Sequence, residues 1–366
     1  MAPIGVALIG GGIFVKNEHL IPPQAYVAAR TDDELPQPAV LKCDKLSLKA
    51  IFSRSLKSAQ ETANLVPDNA TVDLYSADSG DDNTFHDLLL RRDIAAVIVA
   101  LPITVQQQYI ESALAAGKHV LAEKPLSPDV SIAQKLMAYA ADATCRNGGT
   151  LSIAENYRFH ENLVYAQEHA RTLGKLKQFN LQGSLPLSKD SPYFNTYWRA
   201  NPEFQGGFVL DAGIHFAAGA RLFLQGDAAP ETVRAFTSRI SDHLMPIDTA
   251  HAIVRLRSGA SASFAISLGS KFSPFTEYRI EYDRGTIHIA DTTVTIKTDG
   301  QQQEIIQEIT STSGVANEVE AWATGLVQGQ PDPRQSVDLA LGDLEFMEAI
   351  IKSAAQDGQG QRLEFQ

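Results

Sequence analysis

Short apolar runs separated by amphipathic stretches fill the first 155 residues. IGVALI (4–9), LSLKAIFS (46–53), IAAVIVA (94–100), HVLAE (119–123) and TLSIAE (150–155) are rich in Val, Ile and Leu. A run that is apolar at successive positions belongs to a strand covered on both faces. Between these runs, SLKSAQETANLV (55–66), NTFHDLLLRR (83–92) and TVQQQYIESALAAG (104–117) carry helical spacing, the last closing on Gly117 as a C-terminal glycine. Strand and helix in alternation predict an α/β domain, a doubly wound parallel sheet of the Rossmann type, over residues 1–155.

After about residue 157 the alternation stops. KLKQFNLQGSL, ETVRAFTSRI, HAIVRLRSGASASFAISLG, YRIEYDRGTIHIADTTVTIKTDG and QEIIQEIT read as closely spaced strands broken by SGA, DRG and TDG turns. Such spacing predicts antiparallel pairing. Helical segments interrupt the strands near 208–225, 315–328 and 336–354. The expectation is a second, α+β domain over 156–366, built on an open, mainly antiparallel sheet. The polar, proline-containing stretch 30–45 reads as a surface insertion.

Composition narrows the function classes. The 366 residues are 44% hydrophobic, enough for two cores, and 31 Lys plus Arg against 43 Asp plus Glu give a net charge of -12. That balance repels nucleic acid and anionic lipid, so neither partner is expected. The start, MAPIGVALIGGG, has no basic region, and its apolar run is too short for a signal peptide or a membrane span. Cys43 and Cys145 stand far apart in unrelated contexts, which fits a reducing, cytoplasmic setting. His19, His86, His169 and His243 show no ligand spacing with acids or cysteines, so no metal is expected.

Candidate chemistry begins at the end of the first strand. ALIGGGIFV sets Gly10, Gly12 and Val15 in the G-x-G-x-x-G frame, where the first glycine permits a tight turn and the second lets a pyrophosphate reach backbone N–H groups at a helix N-terminus. Val15 is an imperfect third member, since a β-branched side chain should loosen the packing of helix on strand. The second strand ends in Ser53 and Arg54 rather than an acid. A hydroxyl beside a guanidinium suits a 2'-phosphate, which favours NADP(H) and leaves NAD(H) possible. The distance from Gly12 to Ser53 exceeds the usual roughly 20 residues. The 30–45 stretch accounts for the excess.

Further along, VIVALPITVQQQYIESALAAGKHVLAEKPLSPD carries the triplet Glu123, Lys124, Pro125 at the end of a strand. NYRFHENL (156–163), TYWRANPEFQGGFVLDAGIHF (196–216) and QSVDLALGDLEFMEAIIKSAAQDGQ (335–359) follow in order. Together these segments resemble the glucose-fructose oxidoreductase, inositol dehydrogenase and rhizopine catabolism family, Gfo/Idh/MocA, over essentially the whole chain. The most specific is the Asp-x-Gly-x-His pattern of Asp211, Gly213 and His215.

The resemblance implies a dehydrogenase or reductase that moves a hydride between a nicotinamide and a sugar, polyol or related hydroxyl or carbonyl carbon. It implies Lys124, Asp211 and His215 as the catalytic set. His215 would handle the proton, since imidazole is the side chain suited to proton transfer near neutral pH, and Lys124 would place positive charge where an alkoxide develops. If 208–225 is one helix, Asp211 shares a face with His215 and can orient the imidazole or hold the substrate. The implied cofactor contacts are Gly10, Gly12, Ile13, Phe14, Ser53, Arg54, Leu101, Pro102, Glu123 and Lys124. Tyr157, Arg158, Trp198 and Arg199 join the catalytic set as candidate substrate contacts. The catalytic cleft is expected between the two domains, and the open sheet is expected to join subunits of a homo-oligomer, a dimer or tetramer. Two alternatives stay open: an enzyme that retains its cofactor for glycoside cleavage or epimerisation, and a dinucleotide-sensing regulator without chemistry.

Overall fold

A computed structural model describes residues 2–20, 38–67, 71–272, 274–309 and 312–366. The chain divides into two compact units. The first comprises residues 1–127, 131–154 and 315–337, and the second 128–130, 155–314 and 338–366. One break between the units falls at 154/155. The helix Val315–Gln328, which the sequence reading assigned to the second domain, groups with the first unit. Its Val315, Val319, Trp322 and Ala323 enter the same apolar cluster as Val6, Leu8 and Ile98.

The first unit holds six parallel strands, β1 (Ile4–Ile9), β2 (Leu46–Ser53), β3 (Asp73–Ser76), β4 (Ala96–Val99), β5 (His119–Glu123) and β6 (Leu151–Ala154). Their order is β3-β2-β1-β4-β5-β6. Every residue of β4 is buried, as are five of the six in β1, which is the burial expected of strands covered on both faces. Chain direction across the sheet reverses between β1 and β4, so a crevice opens at the carboxyl ends of those strands. Local chemistry marks the helix ends. Ser55 accepts the Ser58 N–H ahead of Leu56–Ala63, and Thr84 forms a capping box with Asp87 ahead of Phe85–Leu90. Gly117, at φ +72°, follows Gln106–Ala115. The part of the 30–45 stretch that is described is not a surface insertion. Residues 30–37 lie outside the described residues, but Ala39–Lys42 is a short helix whose Ala39 and Val40, with Cys43, are buried in the first unit's core.

The second unit carries nine strands, β7 (Leu176–Ser184), β8 (Pro230–Ser238), β9 (Thr249–Leu256), β10 (Ser261–Ser267), β11 (Phe275–Tyr282), β12 (Gly285–Ala290), β13 (Thr293–Thr298), β14 (Ile305–Glu308) and β15 (Gln361–Arg362), in the order β14-β13-β12-β11-β7-β10-β9-β8-β15. All neighbours are antiparallel except β7 and β10, which run parallel at the centre. Turn signals could not show that pairing, because residues 185–260 separate Ser184 from Ser261 in the chain. Buried and accessible residues alternate along β9 and β10, so one face is covered and the other open. Phe236 and Ile253, both 62% exposed, stand on the open face.

The expected single helix over 208–225 is two. Phe208–Asp211 ends at Ala212, and Gly213–Arg221 follows. Gly213 stands where a Cβ would come within 2.7 Å of Ile266 and 2.8 Å of Met347, so the chain presses its backbone against the sheet and the helix Val337–Ala355.

Candidate active site

In the first unit the glycine loop follows β1 and leads into a helical turn at Ile13 and Phe14. Gly10 has φ +128°, and a Cβ there would lie 2.3 Å from the Ala100 carbonyl oxygen, so only glycine fits. Among the described residues, a Cβ on Gly12 would meet nothing within 4 Å. This open cradle at the start of a helical turn fits a pyrophosphate seated on backbone N–H groups. Gly11, which the motif reading passed over, packs most tightly against a neighbouring helix. Its Cβ would stand 2.6 Å from Ser58 Oγ, 2.8 Å from Thr62 Oγ1 and 3.0 Å from Ser53 Oγ. Val15 does not loosen the packing as expected. It is 1% exposed and belongs to the core.

At the end of β2, Ser53 is buried and donates its hydroxyl to Ser58 Oγ at 2.9 Å, while Arg54 is exposed. Asp78, absent from the sequence reading, stands beside this loop. Its Oδ1 accepts from the Leu56 N–H and from the Ser76 hydroxyl, both at 2.7 Å. The Ser76 hydroxyl first, and then the Leu56 amide, hold its carboxyl below the usual carboxylate range. A cavity of about 300 Å³ opens near the ends of β2 and β3, walled by Phe52, Phe85 and Tyr109 with ring centroids 4.9 to 5.6 Å apart. Such a wall suits a planar ring.

Leu101 and Pro102 follow β4, and the Pro102 carbonyl accepts from the Val105 and Gln106 N–H groups, setting the start of Gln106–Ala115. Glu123 closes β5, and Lys124 follows it at a cis peptide to Pro125. Buried Gln106 donates to the Pro125 carbonyl at 2.6 Å and anchors the turn that carries Lys124. Gly10, Ser53, Leu101 and Lys124 thus all stand at the carboxyl ends of parallel strands.

In the second unit, His215 Nδ1 lies 2.7 Å from Glu155 Oε1, and Glu155 is 1% exposed. The same oxygen accepts the Tyr157 N–H at 3.2 Å. Glu155 was read as the last residue of a strand. It instead caps the short 3-10 helix Asn156–Phe159. Tyr157 stacks on His215 with centroids 4.9 Å apart and planes 20° apart, and meets His160 at a tilt of 35° with centroids 4.3 Å apart. Burial, and next the nearby His215, push the His160 pKa down, and His160 Nε2 donates to the Ser313 carbonyl at 3.2 Å.

Asp211 is engaged elsewhere. Its Oδ2 accepts from Arg199 Nε at 2.7 Å, and the Arg199 guanidinium lies 4.1 Å from the Trp198 ring centroid and 5.6 Å from that of Tyr193. Arg158 stands apart from these groups, contrary to its reading as a substrate contact. It is 2% exposed and pairs with buried Asp343, which also binds Arg221. A guanidinium in the core with a carboxylate between it and a second arginine is structural. Among the described residues, no group of three or more His, Cys, Asp or Glu side chains is disposed to hold a metal, and no helix is long and apolar enough to cross a membrane.

A glycine loop on a 3-2-1-4-5-6 sheet, joined to a unit bearing a histidine held by a buried acid, defines a nucleotide-dependent oxidoreductase architecture. Comparison with known proteins agrees. Residues 4–148 match the oxidoreductase family with an NAD-binding Rossmann fold, and 168–288 match the GFO/IDH/MocA C-terminal domain. The chain is 37% identical over 369 residues to the dehydrogenase FPY6 of Fusarium mangiferae, covering 99% of this chain and 100% of that one. It is 28% identical to D-xylose 1-dehydrogenase (NADP(+)) 2 of Haloferax volcanii, across 74% of this chain and 81% of the other. An oxidoreductase structure from Thermotoga maritima superposes with a TM-score of 0.80 at 26% identity, covering 98% of each chain. The chain belongs to the Gfo/Idh/MocA family and is an NAD(P)-dependent oxidoreductase.

Proposed function

We propose that this enzyme transfers a hydride between NADP(H), in preference to NAD(H), and a hydroxyl or carbonyl carbon of a sugar or polyol. The observation that carries the substrate class is the Asp211–Arg199–Trp198 group. An aromatic face beside a fixed cation and a carboxylate offers stacking for a ring and charge-assisted hydrogen bonds for several hydroxyls. The D-xylose dehydrogenase relative supports the same class. Arg54, exposed at the end of β2, is the group assigned to the 2'-phosphate. The family's NAD-binding description keeps NAD(H) as the alternative.

The nicotinamide supplies the two-electron exchange. His215 takes or gives the proton of the reacting oxygen, and Lys124 places an ammonium charge on that oxygen as negative charge develops. Tyr157 braces the His215 ring by stacking on it. The free thiols of Cys43 and Cys145 support a reducing setting such as the cytoplasm. We assign the open face of the nine-stranded sheet, with Phe236 and Ile253, to contact with a second copy of the chain, which sedimentation equilibrium checks. The test of function is to purify the protein, identify any retained dinucleotide, and follow nicotinamide absorbance across aldoses, polyols and keto sugars. Turnover with NADP(H) on at least one of these supports the reading. Activity confined to non-carbohydrate carbonyls, or a preference for NAD(H), refutes the corresponding half.

A further inference from the structure

We infer that Glu155, and not Asp211, is the positioning residue for His215, and that Asp211 positions Arg199. The inference rests on the reading of His215 as the proton-handling group. Two nitrogens converge on one oxygen of Glu155, the Tyr157 amide and His215 Nδ1. A backbone N–H can only donate, so Oε1 accepts from it, and with Glu155 ionised the proton shared with the imidazole belongs to Nδ1. Neutral His215 therefore carries its lone pair on Nε2. On oxidation of a substrate hydroxyl its proton would pass to Nε2, and a bound nicotinamide would supply the acceptor for the hydride. Nδ1–H stays in place, and the imidazolium forms 2.7 Å from a carboxylate. Glu155 takes no proton. It fixes the tautomer and opposes the charge that appears.

Groups around the pair leave this role to Glu155. Tyr157 contributes a stacked ring. His160, beside Tyr157, is held neutral by burial and keeps its Nε2 proton on the Ser313 carbonyl. Tyr278 is buried, and desolvation, with Tyr157 and Glu155 nearby, raises its hydroxyl far above the ordinary range, so it does not ionise. Asp211 has its Oδ2 on Arg199.

Two measurements test the assignment. In the parent enzyme, nitrogen-15 spectra of the histidine rings should show His215 protonated at Nδ1 at neutral pH. A neutral ring protonated at Nε2 would overturn the inference without any variant being made. Glu155→Gln keeps an acceptor for both donors and removes only the charge. It should lower kcat about 10- to 1,000-fold, leave dinucleotide affinity within about twofold, and move the acidic limb of the kcat/KM profile down by about one pH unit. Asp211→Asn should raise KM and leave that limb in place. A Glu155→Gln profile that superposes on the parent's, or a shift seen with Asp211→Asn instead, sinks the proposal. Failure of the underlying reading looks different: His215→Asn would then keep parental activity while the Nδ1 tautomer still appeared in the spectra.

Discussion

At Gly10 the first unit is shaped by an absence, the Cβ that would lie 2.3 Å from the Ala100 carbonyl. At His215 the second unit is shaped by a presence, a carboxylate brought from 60 residues away to 2.7 Å from the ring. The first unit offers backbone: a turn only glycine can make, a cradle open at Gly12, and strand ends in register. The second offers side chains whose partners are scattered, Glu155 with His215 and Arg199 with Asp211. Binding by backbone tolerates many side chains and few added atoms, whereas proton transfer tolerates little change in chemistry at one ring. The two units should therefore fail in different ways when altered.

The largest contrast lies in turnover. His215→Ala should lower kcat by ~10² to 10⁴ with dinucleotide affinity nearly unchanged, because the imidazole acts on the substrate oxygen. Lys124→Ala should lower kcat and raise KM together, and Lys124→Arg should not restore activity, since a broad guanidinium is a poor replacement for a compact ammonium. Steady-state kinetics with an authentic substrate checks both. Near-parental turnover by His215→Ala across the pH range would move the proton to Lys124, Tyr157 or water.

The glycine loop should separate stability from binding. Gly10→Ala forces a side chain into a positive-φ position and into a carbonyl, at a cost of about 1–3 kcal/mol from backbone strain before the clash is counted. Its thermal midpoint should fall clearly. Among the described residues Gly12→Ala meets nothing within 4 Å beyond its chain neighbours, so its midpoint should stay at the parental value while dinucleotide affinity drops, as the methyl group enters the cradle. Thermal denaturation and a dinucleotide titration on the same samples decide the point. Equal destabilisation by the two would dissolve the contrast.

The same contrast governs what the sequence reveals. The first unit's loop and strand ends are legible because each strand announces itself as an apolar run and the candidate ligand-facing residues come directly after it. Gly10 and Lys124 stand at strand ends for this reason. Glu155 obeys the same rule, an acid directly after LSIA, yet counting it as strand hid it. Arg158 misled in the opposite direction. A polar residue in NYRF looks accessible until its partner Asp343, 185 residues on, is known to be buried with it. The parallel pairing of β7 with β10 and the helix break at Ala212 are likewise set by contacts distant in sequence. Asp78 sits in the polar run DSGDDN, where nothing marks one acid from another.

Arg54→Ala should weaken NADP(H) about tenfold and leave NAD(H) nearly untouched, since only the former offers a 2'-phosphate to a guanidinium. Fluorescence titration of both cofactors checks this, and equal losses would remove Arg54 from cofactor choice.

Asp78 should have the smallest effect and the opposite sign. Its carboxylate already accepts the Leu56 N–H, two residues beyond Arg54, and so occupies the start of the helix Leu56–Ala63 with negative charge. A 2'-phosphate arriving at this loop meets the attraction of Arg54 and the repulsion of Asp78 together. Asp78→Asn keeps an oxygen for the Leu56 N–H and the Ser76 hydroxyl while removing the charge. The carboxylate is open to solvent, and screening limits the gain to about two- to fivefold tighter NADP(H) at low salt, shrinking further as salt is raised. NAD(H), which lacks the phosphate, should bind as before. If Asp78→Asn instead weakens NAD(H) and leaves NADP(H) alone, Asp78 is an acceptor for the ribose hydroxyl, and the cofactor preference assigned to Ser53 and Arg54 reverses.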